Sequence, residues 1–349
     1  MITVVSLGLM AAVLSQSEPL SVKVDSARHE VVLGIELAGP RHTTPVHEHS
    51  AHSAEPMAIY GWTGFRWPVD GWVRGFRFKV WRCNRQDTTS SILHHLIIAN
   101  LSRRQLVHPA MERLLAVGSE TPDVVLPKTV GVPLPQGTPL ALKIAWSEPE
   151  DAGCPLHFRI AVLWSPANLV PAPTSVMPFY VDVHHEDVLA SNVFDLGPGR
   201  SFQSFDFELP ISGRLLAAGG HLHWFAEQLA LVALPESDTL TRLRARPDHR
   251  THRLDIDRKL YGVGGRGLKL EARRRYRIVS QYHNPSDSIL SSAGMAHLVG
   301  LFAPDKPSDW PAFDPADPIL AEDYRRVCGR PHPSCGSRVG RVRTERASW

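Results

Sequence analysis

The feature that most restricts the fold of this chain is the punctuation of its apolar segments. Runs of Val, Leu and Ile are short, and clusters of Pro, Gly, Asp and Ser cut them repeatedly; the 349 residues include 29 prolines and 25 glycines. Proline breaks helix interiors by removing a donor and crowding the preceding turn. Short strands bounded by such clusters are instead what sandwiches and barrels are made of. The stretch from Gly71 to Trp81 shows the pattern directly. Its apolar and basic residues alternate at period two, the signature of a half-buried strand. The chain therefore reads as all-β.

Composition adds the scale. A chain 43% hydrophobic and 21% charged is globular, and its length suggests about two domains. The proline-rich stretch from Ser165 to Pro178 interrupts strand pairing and divides the chain into sandwiches at 22–168 and 174–304. From about 305 to 349 periodicity fades, which predicts an irregular tail. The net charge of +3 is small and the arginines are scattered until that tail, so nothing calls for a nucleic-acid partner. Residues 1–18 open with an apolar run, Ile2 to Leu14. It is too short to span a bilayer and fits the core of a signal peptide, although a basic start is missing and a first β-strand is the alternative. No later run is long enough for a transmembrane segment. Four cysteines agree with an extracytoplasmic, secreted or periplasmic setting. Cys83 and Cys154 could staple one domain and Cys328 and Cys335 a small loop, but sequence leaves the connectivity open.

Histidine clustering carries the chemistry. His221 and His223 lie one residue apart in a mostly apolar run, so on a strand they leave the same face and form a ready pair of metal ligands. His94 and His95 are adjacent, so on a regular strand they face opposite sides. Both reach one metal only where the strand bends or bulges. His42, His47, His49 and His52 fall in a polar loop of the kind that often carries histidines adventitiously. Gly262 to Gly267 formally contains G-x-G-x-x-G, but the residues after it read as strands, so it is taken as a hairpin turn rather than a dinucleotide loop. Met295 opens the last strand, where a methionine is ordinarily core filler.

Taken together, Leu93-His94-His95-Leu96, Pro127-Lys128-Thr129-Val130-Gly131, Gly220-His221-Leu222-His223 and Gly294-Met295-Ala296 resemble, in order and spacing, the copper type II, ascorbate-dependent monooxygenase family. Its members include peptidylglycine α-hydroxylating and dopamine β-monooxygenases. The resemblance spans roughly residues 60 to 304. It implies two tandem antiparallel jelly-roll β-sandwich domains and a copper in each. Catalytic copper would be held by His221, His223 and Met295, and an electron-donating copper by His94 and His95. Implied partners are O₂, a reductant such as ascorbate, and a small-molecule substrate. A thioether favours Cu(I) while imidazoles hold both redox states. The chain departs from the family at two places. The third histidine of the electron-donating site falls at Ala145, leaving His157, His47, His49 or His52 as substitutes. The arginine and tyrosine that grip a peptide carboxylate fall at Gly219 and Val299, so a glycine-extended peptide is not the expected substrate. A non-catalytic copper-binding or interaction module is the alternative reading.

Overall fold

The computed structural model describes residues 20–37, 57–82, 92–118, 121–147, 155–184, 193–248, 253–262 and 267–328. The expectations for residues 1–18, His42, His47, His49, His52, Cys83, Cys154 and Cys335 lie outside these residues. Cys328 is described and is not a free thiol.

The first sandwich contains β1 (Ser21–Asp25), β2 (Glu30–Leu37), β3 (Met57–Arg66), β4 (Gly71–Arg82), β5 (Leu93–Arg104) and β6 (Met111–Gly118). It continues with β7 (Val124–Val125), β8 (Val130–Leu134), β9 (Pro139–Ser147), β10 (Leu156–Pro166) and β11 (Thr174–Ser175). The second contains β12 (Met177–Asp182), β13 (Phe194–Leu196), β14 (Gly199–Glu208), β15 (Gly213–Leu222), β16 (Ala226–Ala233) and β17 (Asp238–Asp248). It ends with β18 (Arg253–Ile256), β19 (Lys259–Leu260), β20 (Leu268–Leu270), β21 (Arg275–Asn284), β22 (Leu290–Gly294) and β23 (Ala296–Pro304).

The sheet orders identify the architecture. In the first sandwich one sheet runs β1-β2-β10-β4-β8-β11 and the other β3-β9-β5-β6; in the second they run β12-β23-β15-β19 and β14-β21-β16-β17-β18. Counting the eight main strands of each half from first to last, with β19 and β20 sharing sixth place, both halves give sheets 1-8-3-6 and 2-7-4-5. That is the jelly roll, two interleaved Greek keys. All pairings are antiparallel except β11 with β8, so the proline-rich stretch contributes a short parallel edge.

Each half closes over its own core. Leu33, Val80, Leu96, Leu142 and Phe158 fill the first, and Leu215, Leu229, Ile278, Tyr282 and Phe302 the second. Burying one such side chain is worth roughly 1.5–3 kcal/mol. The halves also exchange residues: Leu106 packs into the second core and Leu216 into the first. The His108 Nε2 accepts the backbone N–H of Asp182 at 3.1 Å, tying the loop before β6 to β12.

Two sequence expectations change. Where an irregular tail is predicted, the chain forms a helix, α1 (Pro318–Cys328). Asp317 caps it, its Oδ1 accepting the N–H groups of Ile319 at 2.9 Å and Leu320 at 3.1 Å, and Pro318 takes the first helical position. Leu320 and Val327 bury against Ala99, Leu101, Met111 and Ala141 on the face of β5, β6 and β9 turned away from the first core. Asp323 fixes the helix there, accepting the Met111 N–H at 2.9 Å and pairing with Arg113 at 3.1 Å. The glycine-rich stretch is also not a simple hairpin, because β19 and β20 on either side of it pair with β15 rather than with each other. A strand follows it, not the helix a dinucleotide loop requires. Among the described residues no helix is long and apolar enough to cross a membrane.

Candidate functional site

A cleft of about 1190 Å³ lies between the two sandwiches. One wall is a face of the sheet β12-β23-β15, and the pairing register writes out its rungs. Pro178, Leu301 and Ala217 form one, Tyr180, Val299 and Gly219 the next, and Asp182, His297 and His221 the third. Directly paired residues in antiparallel strands share a face, as do residues two apart, so all nine face the cleft together.

His221 lies near the end of β15 and His223 just beyond it, so the spacing's single strand ends between them. Their rings lie 5.5 Å apart at 83°. Gly220, between the cleft and the core, is constrained by space: a Cβ there would meet Leu229 Cδ2 at 3.1 Å and the His297 carbonyl oxygen at 3.2 Å. Met295 sits at the β22–β23 junction, buried, and lines the cleft with His221. Tyr282 ties the two segments together. Its hydroxyl accepts the backbone N–H of His223 and of Met295, each at 3.3 Å, and donates to the Met295 carbonyl. The His223 N–H also reaches the Met295 carbonyl at 3.2 Å. Tyr282 is fully buried, and that burial pushes its phenol well above the usual range. Tyr282 thus holds His223 and Met295, two of the residues implied for the second domain's copper, at one corner, with the His221 ring beside that of His223.

Two imidazoles and a thioether make a soft donor set with nitrogen ligands, the kind that suits a monovalent, thiophilic ion. Among the described residues no group of three or more His, Cys, Asp or Glu side chains is placed to hold a metal. An ion at this corner would therefore rely on Met295 as its third protein ligand.

Sequence reasoning missed the residues behind His221. His297, opposite it on β23, stacks on its ring at 5.7 Å and 15°. The Nδ1 of His297 lies 2.7 Å from the Tyr180 hydroxyl and 3.1 Å from Asp182 Oδ2. Burial alone would raise the Asp182 carboxyl. The neighbouring His297, the His184 backbone N–H and His108 outweigh it and hold the group below the usual carboxylate value. The signal available was Met295-Ala296-His297, which places methionine and histidine two apart, as in the H-x-H it faces. Nothing in the sequence says that these two strands are partners.

The first domain's pair lines the same cleft. Pairing of β5 with β9 shifts register between Leu93 and His95, so Leu93 faces Trp146, His95 faces Ala145, and His94 is the extra residue of a bulge. The bulge brings adjacent histidines together, their rings 4.9 Å apart at 50°. Ala145, the position of the missing third histidine, is the cross-strand partner of His95 and is fully buried. His157 does not replace it. It lies on the other sheet, stacked on Trp81 at 5.2 Å and 7°, with Glu36 3.7 Å away. Gly219 and Val299, the empty clamp positions, are themselves cross-strand partners in the cleft wall.

The fold defines a tandem jelly-roll protein with a histidine-lined cleft between its halves. No protein-family model matches the chain, and no curated protein matches it. Among solved structures it is similar to the major capsid protein P2 of bacteriophage PM2, at 11% identity and a TM-score of 0.34, over 78% of this chain and 98% of that one. It is also similar to PNGase F, a glycosylasparaginase from Flavobacterium meningosepticum, at 8% identity and a TM-score of 0.30, over 76% of this chain and 95% of that one.

Proposed function

We propose that this protein is a copper-dependent monooxygenase that hydroxylates a C–H bond of a small organic substrate with O₂ and an external reductant such as ascorbate. The observation that carries the reading is the corner at which the His221 and His223 rings lie 5.5 Å apart and Tyr282 pins the backbone of His223 to that of buried Met295. The donor set fits copper because the thioether favours Cu(I) and the imidazoles hold both redox states. Bound copper would supply the O₂ and one-electron chemistry that side chains lack.

The chain's own residues supply binding and exclusion. Phe76, Leu115, Val124 and Phe179 give the cleft an apolar lining that takes up an organic substrate and displaces water from it. The rung of Tyr180, Val299 and Gly219 leaves an open floor beside His221, where a Cβ on Gly219 would meet nothing closer than 3.8 Å. A substrate can lie flat there, against the wall that carries the histidines. An extracytoplasmic setting, with copper and disulfide chemistry both accessible, belongs to the same reading.

One observation favours a second reading. Ala145 opposite His95 gives the first pair no third imidazole from β9. A protein that kept one copper and lost electron transfer would be a binding module. Oxygen and ascorbate consumption by copper-loaded protein, compared with His221→Ala, separates the two. Consumption that depends on His221 supports the enzyme, whereas no difference between the two proteins refutes it.

A further inference from the structure

We propose that His297 is a positioning residue for His221, anchored by Asp182 and Tyr180, and that this buried row sets how tightly the His221/His223/Met295 corner holds copper. The inference deepens the copper reading and rests on it.

The three residues occupy one rung across β12, β23 and β15, so their spacing is fixed by the sheet rather than by loops. Both oxygens of Asp182 are committed. Oδ1 accepts the His184 backbone N–H at 3.0 Å, and Oδ2 faces His297 Nδ1 at 3.1 Å and the Tyr180 hydroxyl at 3.4 Å. Whichever group supplies the proton, contacts from Asp182 and Tyr180 to one ring nitrogen fix the plane of the imidazole. The Tyr180 oxygen, 2.7 Å from the same nitrogen, holds that plane from a second direction. His297 and Asp182 are both buried, so neither is free to turn toward water.

A ring held this way becomes a fixed surface for its neighbour. The His221 ring lies against it nearly parallel at 15°, while His223 stands at 83° to His221. A shared ion needs each imidazole to aim a nitrogen at one point, which both ring planes control. The backbone contacts of Tyr282 fix where His223 and Met295 start, and the stack fixes how the His221 ring is turned. With Nδ1 facing Tyr180 and Asp182 and its ring lying flat on that of His221, His297 acts through His221.

The test is copper binding and spectroscopy on the full chain, for wild type, His297→Ala and Asp182→Asn. Cu(I) affinity is read by competition with a chromophoric chelator. The Cu(II) form gives hyperfine coupling and a count of bound imidazoles by pulsed electron paramagnetic resonance. Loss of such an outer partner is expected to weaken binding roughly 10–100-fold. His297→Ala should show this, with altered hyperfine coupling and an unchanged imidazole count. Asp182→Asn, which keeps side-chain volume and covers the case in which His297→Ala does not fold, should shift both readouts in the same direction. Wild-type affinity and spectrum in the folded variants would overturn the proposal and leave the copper reading intact. A count that falls by one imidazole in His297→Ala would overturn it by making His297 a ligand. Wild-type protein that binds no copper would overturn both.

Discussion

The two jelly rolls share a strand order, and each carries a histidine pair of which His94, His95 and His221 line the same cleft, yet they support those pairs differently. In the first, His94 and His95 meet through a bulge, and the cross-strand neighbour of His95 on β9 is a buried alanine. In the second, His221 lies on β15 and His223 just past its end, and the cross-strand neighbour of His221 is a histidine backed by a carboxylate and a phenol. One fold can place imidazoles at either sheet. Behind His221 stands a rung of His297 and Asp182 that holds a ring in place, and across from His95 stands Ala145.

The largest expected effect tests that asymmetry. His221→Ala should abolish tight copper binding at the second corner, a loss beyond the roughly 10–100-fold that an outer partner costs, while His95→Ala leaves that corner's affinity unchanged. Equal losses in chelator competition would break the comparison. The converse substitution sharpens it. Ala145→His would place a third imidazole beside His95 and should raise bound copper by one equivalent. Crowding a fully buried position should cost about 1–3 kcal/mol of stability in denaturant unfolding.

In the second sandwich Tyr282 ties the backbone of His223 to that of Met295. Tyr282→Phe removes the hydroxyl that serves three backbone groups of His223 and Met295. The expected cost is roughly 1–3 kcal/mol for buried groups left unpaired, together with weaker copper binding. A full loss of copper with unchanged stability would show that the hydroxyl does more than pin the backbone.

How much of this was legible beforehand follows the same division. Period-two alternation in Gly71–Trp81 marks a strand because burial on one face leaves that trace. H-x-H likewise announces a shared face. Register leaves no such trace. That His94 occupies a bulge, that His221 faces His297, and that Asp182 completes the rung are consequences of strand pairings far apart in sequence. Helix α1 was hidden for another reason. Its cap and first turn, Asp317-Pro318, resemble the Pro- and Asp-rich loop around them, and its apolar contacts are with the other sandwich.

The smallest effect contrasts two carboxylate–arginine pairs, one in each half. The Arg277 hydrogen bond holds Asp206 below its ordinary value, whereas burial raises Glu112 despite Arg103 beside it. A depressed carboxylate contributes stability that is present above its unfolded pKa and lost as pH falls. A raised one lowers stability as pH rises past its unfolded pKa. Acidification should therefore weaken the wild type relative to Asp206→Asn, by about 1 kcal/mol or less for so exposed a pair. Relative to Glu112→Gln it should do the reverse. Urea unfolding across the acid range reads both signs, and parallel curves would refute the contrast.

The most direct test of the central claim is X-ray absorption on the Cu(I) form of the purified protein, beside Met295→Leu, a substitution close in volume. The account predicts a copper with imidazole nitrogens and one sulfur scatterer, and loss of the sulfur in the variant. Copper without sulfur in the wild type, or no tightly bound copper, would contradict it.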